Sequence, residues 1–337
     1  MSEDQDALLR LIAKLYYLDD LGQSEISEIV GISRSQVSRL LTRAREKGIL
    51  RISVEEYDPR DRLLESEMKS LFNLRHVYVI KTLYDTTPDH VRRSIGYFGA
   101  PLLSELLRPN TVVGVAGGRA LFELVRCMKP SGGTHGVSVV QLMGNIGPSV
   151  SNNDAIELSR TLAQQFLGAF YTLNAPVYVP DARTRDAFLS HEHVSSIWKL
   201  YSIMNVAMVG IGSLSDSSFI ARGVLGAHEF EQFREKKAVG EICGHFYNAS
   251  GEECDTEHRG RVISIGLDEL KNTPEVIGVV TSGPGRVEAI YAAVSAGLVK
   301  SLLLDDSVAT SIVAKAKEIR GLDLRSIPAA STKMAGV

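Results

Sequence analysis

SEISEIVGISRSQVSRLLTRAREK, residues 24–47, decides how the amino end of this chain is read. Two helical patterns flank one glycine. Ile26, Ile29 and Val30 recur at helical spacing before Gly31, and Val37, Leu40, Leu41 and Ala44 do so after it. Glycine suits the turn between them because positive φ costs it little. Ser33, followed three residues later by Gln36, forms the Ser-x-x-Gln capping box that opens a helix. The outer face of that second helix carries Arg34, Ser35, Gln36, Ser38, Arg39 and Arg43. Arginine pairs bidentately with guanine, glutamine with adenine, and serine reaches phosphate. Six basic residues against one acidic residue, Glu46, lie between Arg34 and Arg51. Positive charge is therefore concentrated where a recognition helix enters the major groove. The expectation is a helix-turn-helix that contacts operator DNA through Ser33, Arg34, Ser35, Gln36, Ser38, Arg39 and Arg43. A plain amphipathic helix pair with a solvated basic face is the competing reading. The joint spacing of Ile26, Gly31, Ile32, Val37 and Leu40 favours the DNA reader.

Working outward, LLRLIAKLYYL (Leu8–Leu18) places Leu8, Leu11, Ile12, Leu15 and Tyr16 on one helical face, and Asp19–Gly22 breaks that helix. On the other side Gly48 closes the recognition helix, and ILRISV (Ile49–Val54) reads as a short strand, a wing beside the DNA. Asp58–Pro59–Arg60 breaks the pattern again. Leu63, Leu64, Glu67, Met68 and Leu71 then form a helical stripe, either a connector that also pairs subunits or a helix packed within one domain. The expected boundaries are a DNA-binding domain over 1–56, a connector helix over 57–75, and a larger ligand-binding and oligomerisation domain over 76–328.

From His76 onward β-branched runs alternate with helical patterns. Strands are expected at Val77–Ile80, Thr111–Ala116, Val137–Met143, Val206–Ile211, Val276–Thr281 and Ser301–Leu304, with helices at Pro88–Leu107, Ala155–Phe166, Val287–Ala296 and Val308–Ile319. Strands apolar on both faces, interleaved with helices, predict a parallel sheet covered on both sides. Ligands in such sheets bind at the carboxyl ends of the strands. Glycine-rich loops fall there repeatedly: Gly117–Gly118–Arg119, Gly144–Asn145–Ile146–Gly147, Gly210–Ile211–Gly212–Ser213 and Ser282–Gly283–Pro284–Gly285–Arg286. Such loops let backbone N–H groups approach an anion, and a following helix N-terminus adds partial positive charge. Any one loop is as readily a turn that needs glycine for geometry. Four of them, two ending in arginine, favour an anionic ligand. Candidate ligand-binding residues are Gly117, Gly118, Arg119, Gly144, Asn145, Gly212, Ser213, Gly283 and Arg286. Neither a Walker A sequence nor a dinucleotide fingerprint is present. The histidines have no metal-ligand spacing, so no metal, cofactor or catalytic set is expected.

The bulk composition agrees. The chain has 337 residues, 44% apolar and 23% charged, with a net charge of −3, so DNA binding has to come from a local patch. Cys127, Cys243 and Cys254 form no framework and suit a reducing compartment. No run of 18 apolar residues exists, and a cytoplasmic protein that does not engage membranes is expected.

In order along the chain, Leu15–Ile52, VVGVAGGRAL (Val112–Leu121), VVQLMGNIG (Val139–Gly147), VAMVGIGSL (Val206–Leu214), AVGEICGHFYNASGEE (Ala238–Glu253) and GPGRVEAIYAAVSAGLVKSLLLDDSVA (Gly283–Ala309) resemble the SorC family of sugar-responsive bacterial regulators. The resemblance implies an α/β architecture: a winged helix-turn-helix plus a larger doubly wound, Rossmann-like domain similar to sugar-phosphate isomerases. It implies a homo-oligomeric regulator, dimer or tetramer, of a carbohydrate or polyol catabolic operon, controlled by a phosphorylated sugar. It further implies that Glu241 meets ligand hydroxyls, with Asp255 a weaker candidate. A lysine is common in the family where this chain has Arg286; arginine keeps the charge but cannot serve as an amine nucleophile. The alternative is an isomerase- or deaminase-like enzyme carrying a DNA-binding domain. Glu241 is then a candidate acid without a partner.

Overall fold

Helical spacing of apolar residues draws three helices around a small core at the amino end: α1 (Glu3–Tyr17), α2 (Gln23–Val30) and α3 (Arg34–Glu46). Ile12, Ile26, Val37 and Leu41 fill that core, and Leu9, Ala13 and Ala44 extend it. Gly31 ends α2 in the left-handed region at φ 73°, its N–H donating to the Ser27 carbonyl. Ser33 caps α3: its Oγ accepts from the Gln36 N–H, and the Gln36 side chain accepts from the Ser33 N–H at 2.8 Å. These contacts come from a computed structural model that describes residues 3–55, 57–82, 87–133 and 135–321. It divides into two compact units, Met1–Asp58 and Pro59–Val337.

The expected wing is not formed. Ile49–Val54 has no strand, and only Ile49 and Leu50 of it pack on the helices. A lone run of apolar alternation without a second strand to pair with cannot satisfy its backbone groups as sheet. Of the two readings of the stripe over 57–75, the helix packed within one domain is the one that forms. Its helix, α4 (Arg62–Phe72), belongs to the larger unit and buries Leu64 and Met68 in that unit's core.

The larger unit continues with β1 (His76–Ile80), α5 (Pro88–Ser104), β2 (Val112–Val115), α6 (Arg119–Cys127), β3 (Ser138–Gln141), α7 (Ala155–Gln165) and β4 (Phe170–Tyr171). Then follow α8 (Ala182–Ser190), α9 (Glu192–Ser202), β5 (Val206–Val209), β6 (Gly212–Ser213), α10 (Ser218–Ala221) and α11 (Ala227–Glu235). The last elements are β7 (Ala238–Ile242), β8 (His245–Asn248), α12 (Leu267–Asn272), β9 (Glu275–Val279), α13 (Arg286–Ser295), β10 (Ser301–Asp305) and α14 (Asp306–Arg320). All six expected strands are present. Seven strands pair in the order β1-β10-β9-β5-β2-β3-β4, every pair parallel. All four residues of β5 and all five of β10 are buried, as a sheet covered on both faces requires. No helix among the described residues is long and apolar enough to cross a membrane.

The strand order places a cleft. From β2 the chain runs outward through β3 to β4. It then returns to lay β5 on the other side of β2 and continues through β9 to β10. The reversal falls between β2 and β5, where Val113, Gly114 and Val115 pair with Val206, Ala207 and Met208. Helices on the two sides of such a reversal diverge and leave a crevice at the strands' carboxyl ends. A small antiparallel sheet, β6-β7-β8, is built from the segments that follow β5.

Candidate functional site

Loops leaving β2 and β5 open into a cavity of about 120 Å³ at this reversal, room for several waters or a small polar ligand. Ala116, Gly117 and Gly118 form one wall and Gly210, Ile211 and Gly212 another. Arg119 begins α6 and Arg286 begins α13, so each guanidinium stands at a helix N-terminus. The two converge on one carboxylate. Arg119 Nη2 donates to both Asp216 oxygens at 3.1 and 3.2 Å, and Arg286 Nη2 donates to Asp216 Oδ2 at 2.7 Å. Arg286 is further held by donation from Nη1 to the Ile211 carbonyl at 2.5 Å, while its buried Nε has no partner.

Glu241 enters the cavity from β7 because Gly212 lies opposite it on β6; a Cβ at Gly212 would stand 2.7 Å from Glu241 Oε2. Glu241 Oε1 accepts from the Gly244 N–H at 2.5 Å. Burial raises its pKa, against the pull of that hydrogen bond and of Arg286. Cys243, in the same wall, has its thiol pushed far up by burial and by the Glu241 charge, and so stays protonated.

Of the residues expected at the ligand, Gly117, Gly118, Arg119, Gly212, Glu241 and Arg286 line this cavity. Gly144, Asn145, Ser213 and Gly283 do not. Gly144 is required by packing: a Cβ there would fall 2.5 Å from the Pro176 backbone. The Asn145 side-chain oxygen accepts from Gln141 Nε2 at 3.1 Å, and its backbone bonds to Ala175 and Val177, so these groups serve the scaffold. Ser213 Oγ donates to the Pro284 carbonyl at 2.7 Å, fixing the loop before α13. The Gly283 carbonyl accepts from the Arg286 N–H at 3.2 Å, and a Cβ at Gly283 would stand 3.3 Å from the Arg286 side chain.

Sequence reasoning missed Arg92, Asp154, Asp216 and Arg222, all of which line the cavity. Arg222 pairs with Asp154 and donates to the Ser149 carbonyl at 2.8 Å. Arg92, three residues after Asp89 on α5, pairs with it. The one available signal was Asp154, an acidic residue directly before a helical pattern and close behind a glycine loop.

Beside the cavity runs a hydrogen-bonded chain: Ser264 Oγ to His245 Nε2 at 2.8 Å, and His245 Nδ1 to Glu253 Oε1 at 2.6 Å. Ser264 is buried and is not among the cavity-lining residues, and the second Glu253 oxygen pairs with Arg259 at 3.0 Å. The chain ties β8 to the segments that carry Glu253 and Ser264. Next to it His258, 2% exposed, has Nε2 2.8 Å from the Gly244 carbonyl; its Nδ1 is buried without a partner. No cluster of three or more His, Cys, Asp or Glu suited to a metal occurs among the described residues.

In the amino-terminal unit the outward face of α3 carries Arg34, Ser35, Gln36, Ser38, Arg39 and Arg43, all exposed, with Ser33 at its cap. The buried set Val37, Leu41 and Ala44 occupies the opposite face.

Two family models match the chain. Residues 60–314 match the "Putative sugar-binding domain" family, and residues 7–47 match "Sigma-70, region 4". Among solved structures, the full-length sorbitol operon regulator SorC from Klebsiella pneumoniae superposes with a TM-score of 0.69. It is 26% identical and covers 93% of this chain and 100% of that one. The chain belongs to the SorC family of sugar-binding transcriptional regulators. Other members are similar over nearly their whole length. The deoxyribonucleoside regulator of Bacillus subtilis is 29% identical over 317 residues, 93% of this chain and 99% of that protein. The transcriptional regulator LsrR of an Enterobacter species is 28% identical over 316 residues, 93% of this chain and 94% of that protein. The SorC-family match accounts for both units: a DNA-binding helix-turn-helix and a sugar-binding domain.

Proposed function

We propose that this regulator senses a small phosphorylated sugar in the cavity between β2 and β5 and that binding changes its affinity for operator DNA. The observation that carries the reading is the convergence of Arg119 and Arg286, each at a helix start, on a single acidic group at the strand reversal. A planar guanidinium pair is suited to the oxygens of a phosphate, and the helix N-termini add to the attraction. Glu241, buried and with a raised pKa, supplies an acceptor or a donor for sugar hydroxyls. Relatives whose names refer to sorbitol and deoxyribonucleosides support a carbohydrate or polyol operon as the target.

The exposed face of α3, from Ser33 through Arg43, enters the major groove. The protein works in the cytoplasm as a dimer or tetramer, since helix-turn-helix readers engage paired half-sites. It acts by binding and not by turnover, a reading supported by relatives that are named as transcriptional regulators.

Operator affinity and ligand binding of two variants test the division of labour. Arg39→Ala is expected to weaken DNA binding about tenfold or more and leave the thermal shift by sugar phosphates intact. Arg119→Ala is expected to abolish that shift and leave ligand-free DNA affinity intact. Sugar phosphates that neither raise the melting temperature of the wild-type protein nor alter its operator affinity overturn the reading.

A further inference from the structure

Asp216 stands where the anion of a ligand belongs. Its two oxygens take donors from Arg119 and Arg286, and it is the acidic group that Arg286 Nη2 contacts directly. The other cavity-lining carboxylates are engaged elsewhere: Asp154 with Arg222, Glu241 with the Gly244 N–H. Asp216 ends the short turn Leu214–Asp216 that follows β6, and the side chains of Ser213 and Ser215 tie this turn to the Pro284 carbonyl. The carboxylate is thus delivered by a short tether to two guanidiniums that start different helices.

We infer that Asp216 sets the threshold for ligand binding, as an internal carboxylate that competes with the anionic group of a ligand for Arg119 and Arg286. This rests on the proposed anion-binding role of the cavity. Carboxylate and phosphate address a guanidinium fork with the same pair of acceptor oxygens. Both cannot hold these two arginines at once without placing like charges side by side. A ligand therefore enters only when its anion outbids Asp216. A phosphate dianion does so more readily than a carboxylate monoanion, because each added charge strengthens its pull on both guanidiniums. Asp216 accordingly sets a threshold: it weakens every anion by the same factor, so that a phosphate still binds at concentrations where a more weakly held sugar acid does not.

The test uses the full chain and titrates inorganic phosphate and gluconate against wild type, Asp216→Asn, Asp216→Ser and Arg119→Ala at fixed ionic strength. Asparagine keeps the shape and removes the charge; serine serves the same comparison should asparagine disturb folding. Removing the competing charge is expected to tighten phosphate binding about tenfold or more, the size of a strong coupling between two bound groups. It is expected to tighten gluconate by a similar factor, because displacing Asp216 costs every anion the same. Folded Asp216 variants that bind phosphate no tighter than wild type, or more weakly, overturn the inference. If in that case wild type binds phosphate and Arg119→Ala weakens it, the competition alone falls and the anion site stands. If Arg119→Ala leaves wild-type binding unmoved, the cavity is not the anion site, and both readings fall together.

Discussion

Acidification should cost the larger unit stability through one residue, His258. The ring is 2% exposed and packed by Tyr178, Phe233 and Phe246, with centroids at 4.9, 5.2 and 5.6 Å. In the neutral tautomer Nε2 donates to the Gly244 carbonyl, and Nδ1 faces no partner. A second proton would place a charge on Nδ1 with nothing to accept it. Burial accordingly lowers the pKa of His258 from 6.5 to about 4, with the Gly244 bond opposing and the nearby His245 and Arg261 charges adding to the fall. Between those two values the unfolded chain binds a proton that the folded chain refuses. Stability therefore rises with pH across that window: it is fully present above about 6.5 and is lost as pH falls toward 4. Going from about pH 7 to about pH 5, this single group is expected to cost about 2 kcal/mol. His258→Gln keeps a donor for the Gly244 carbonyl and does not titrate. The assay is urea unfolding followed by the fluorescence of the single tryptophan, Trp198, which lies on α9 and so reports the larger unit. Other titrating groups contribute equally to both proteins and cancel in the difference. If wild type and His258→Gln lose the same stability between the two pH values, the neutral, unpartnered Nδ1 is not what sets the acid response.

Three further outcomes follow from local geometry. Gly144→Ala forces a Cβ to 2.5 Å from the Pro176 backbone, so unfolding should be easier by roughly 2 kcal/mol or more, with sugar-phosphate affinity of the folded fraction unchanged. Gly31→Ala meets no atom within 4 Å but holds φ 73°; the cost should be about 1 kcal/mol of strain, read as a lower melting point of the amino-terminal unit with no change in α3 contacts. Arg286→Lys keeps the charge but cannot serve both the Ile211 carbonyl and Asp216 with a planar fork. Phosphate affinity should fall about tenfold while the fold persists, and an unchanged affinity would argue that Arg286 acts only as a point charge.

The parallel sheet was legible because its strands are buried on both faces. Runs such as Val206–Val209 and Ser301–Asp305 carry no alternation, and that leaves a covered central position as the reading. The recognition helix was legible because its signals are local: Ser33 and Gln36 cap each other across three residues, and Gly31 takes the left-handed turn. The wing was misread for the same reason. Ile49–Val54 satisfies a strand's local preference, but a strand is a pairing, and the sequence does not say whether a partner exists. The connector stripe was real as a helix; that Leu64 and Met68 turn toward β1 and α14 is decided by tertiary packing.

The cavity shows where local reading stops. Glycine loops at strand ends pointed to the right region, yet glycine serves two ends there. Gly212 is small so that Glu241 can reach the cavity, whereas Gly144 is small so that two backbones can pass. In sequence they look alike, because what separates them is the identity of the atom that a Cβ would meet. The missed charges follow the same rule. Arg222 and Asp154 are 68 residues apart and Asp216 is 70 from Arg286; neither pair has a spacing that announces it. Four arginines and three carboxylates line the space, so its positive character is small in the resting protein and concentrated on the two guanidiniums that share Asp216. An incoming anion gains most by exchanging with that carboxylate and little by adding to it. On the proposed anion-binding role, recognition and displacement would be one event at Asp216, and the Leu214–Asp216 turn would be the first part of the chain to register that the cavity has been filled.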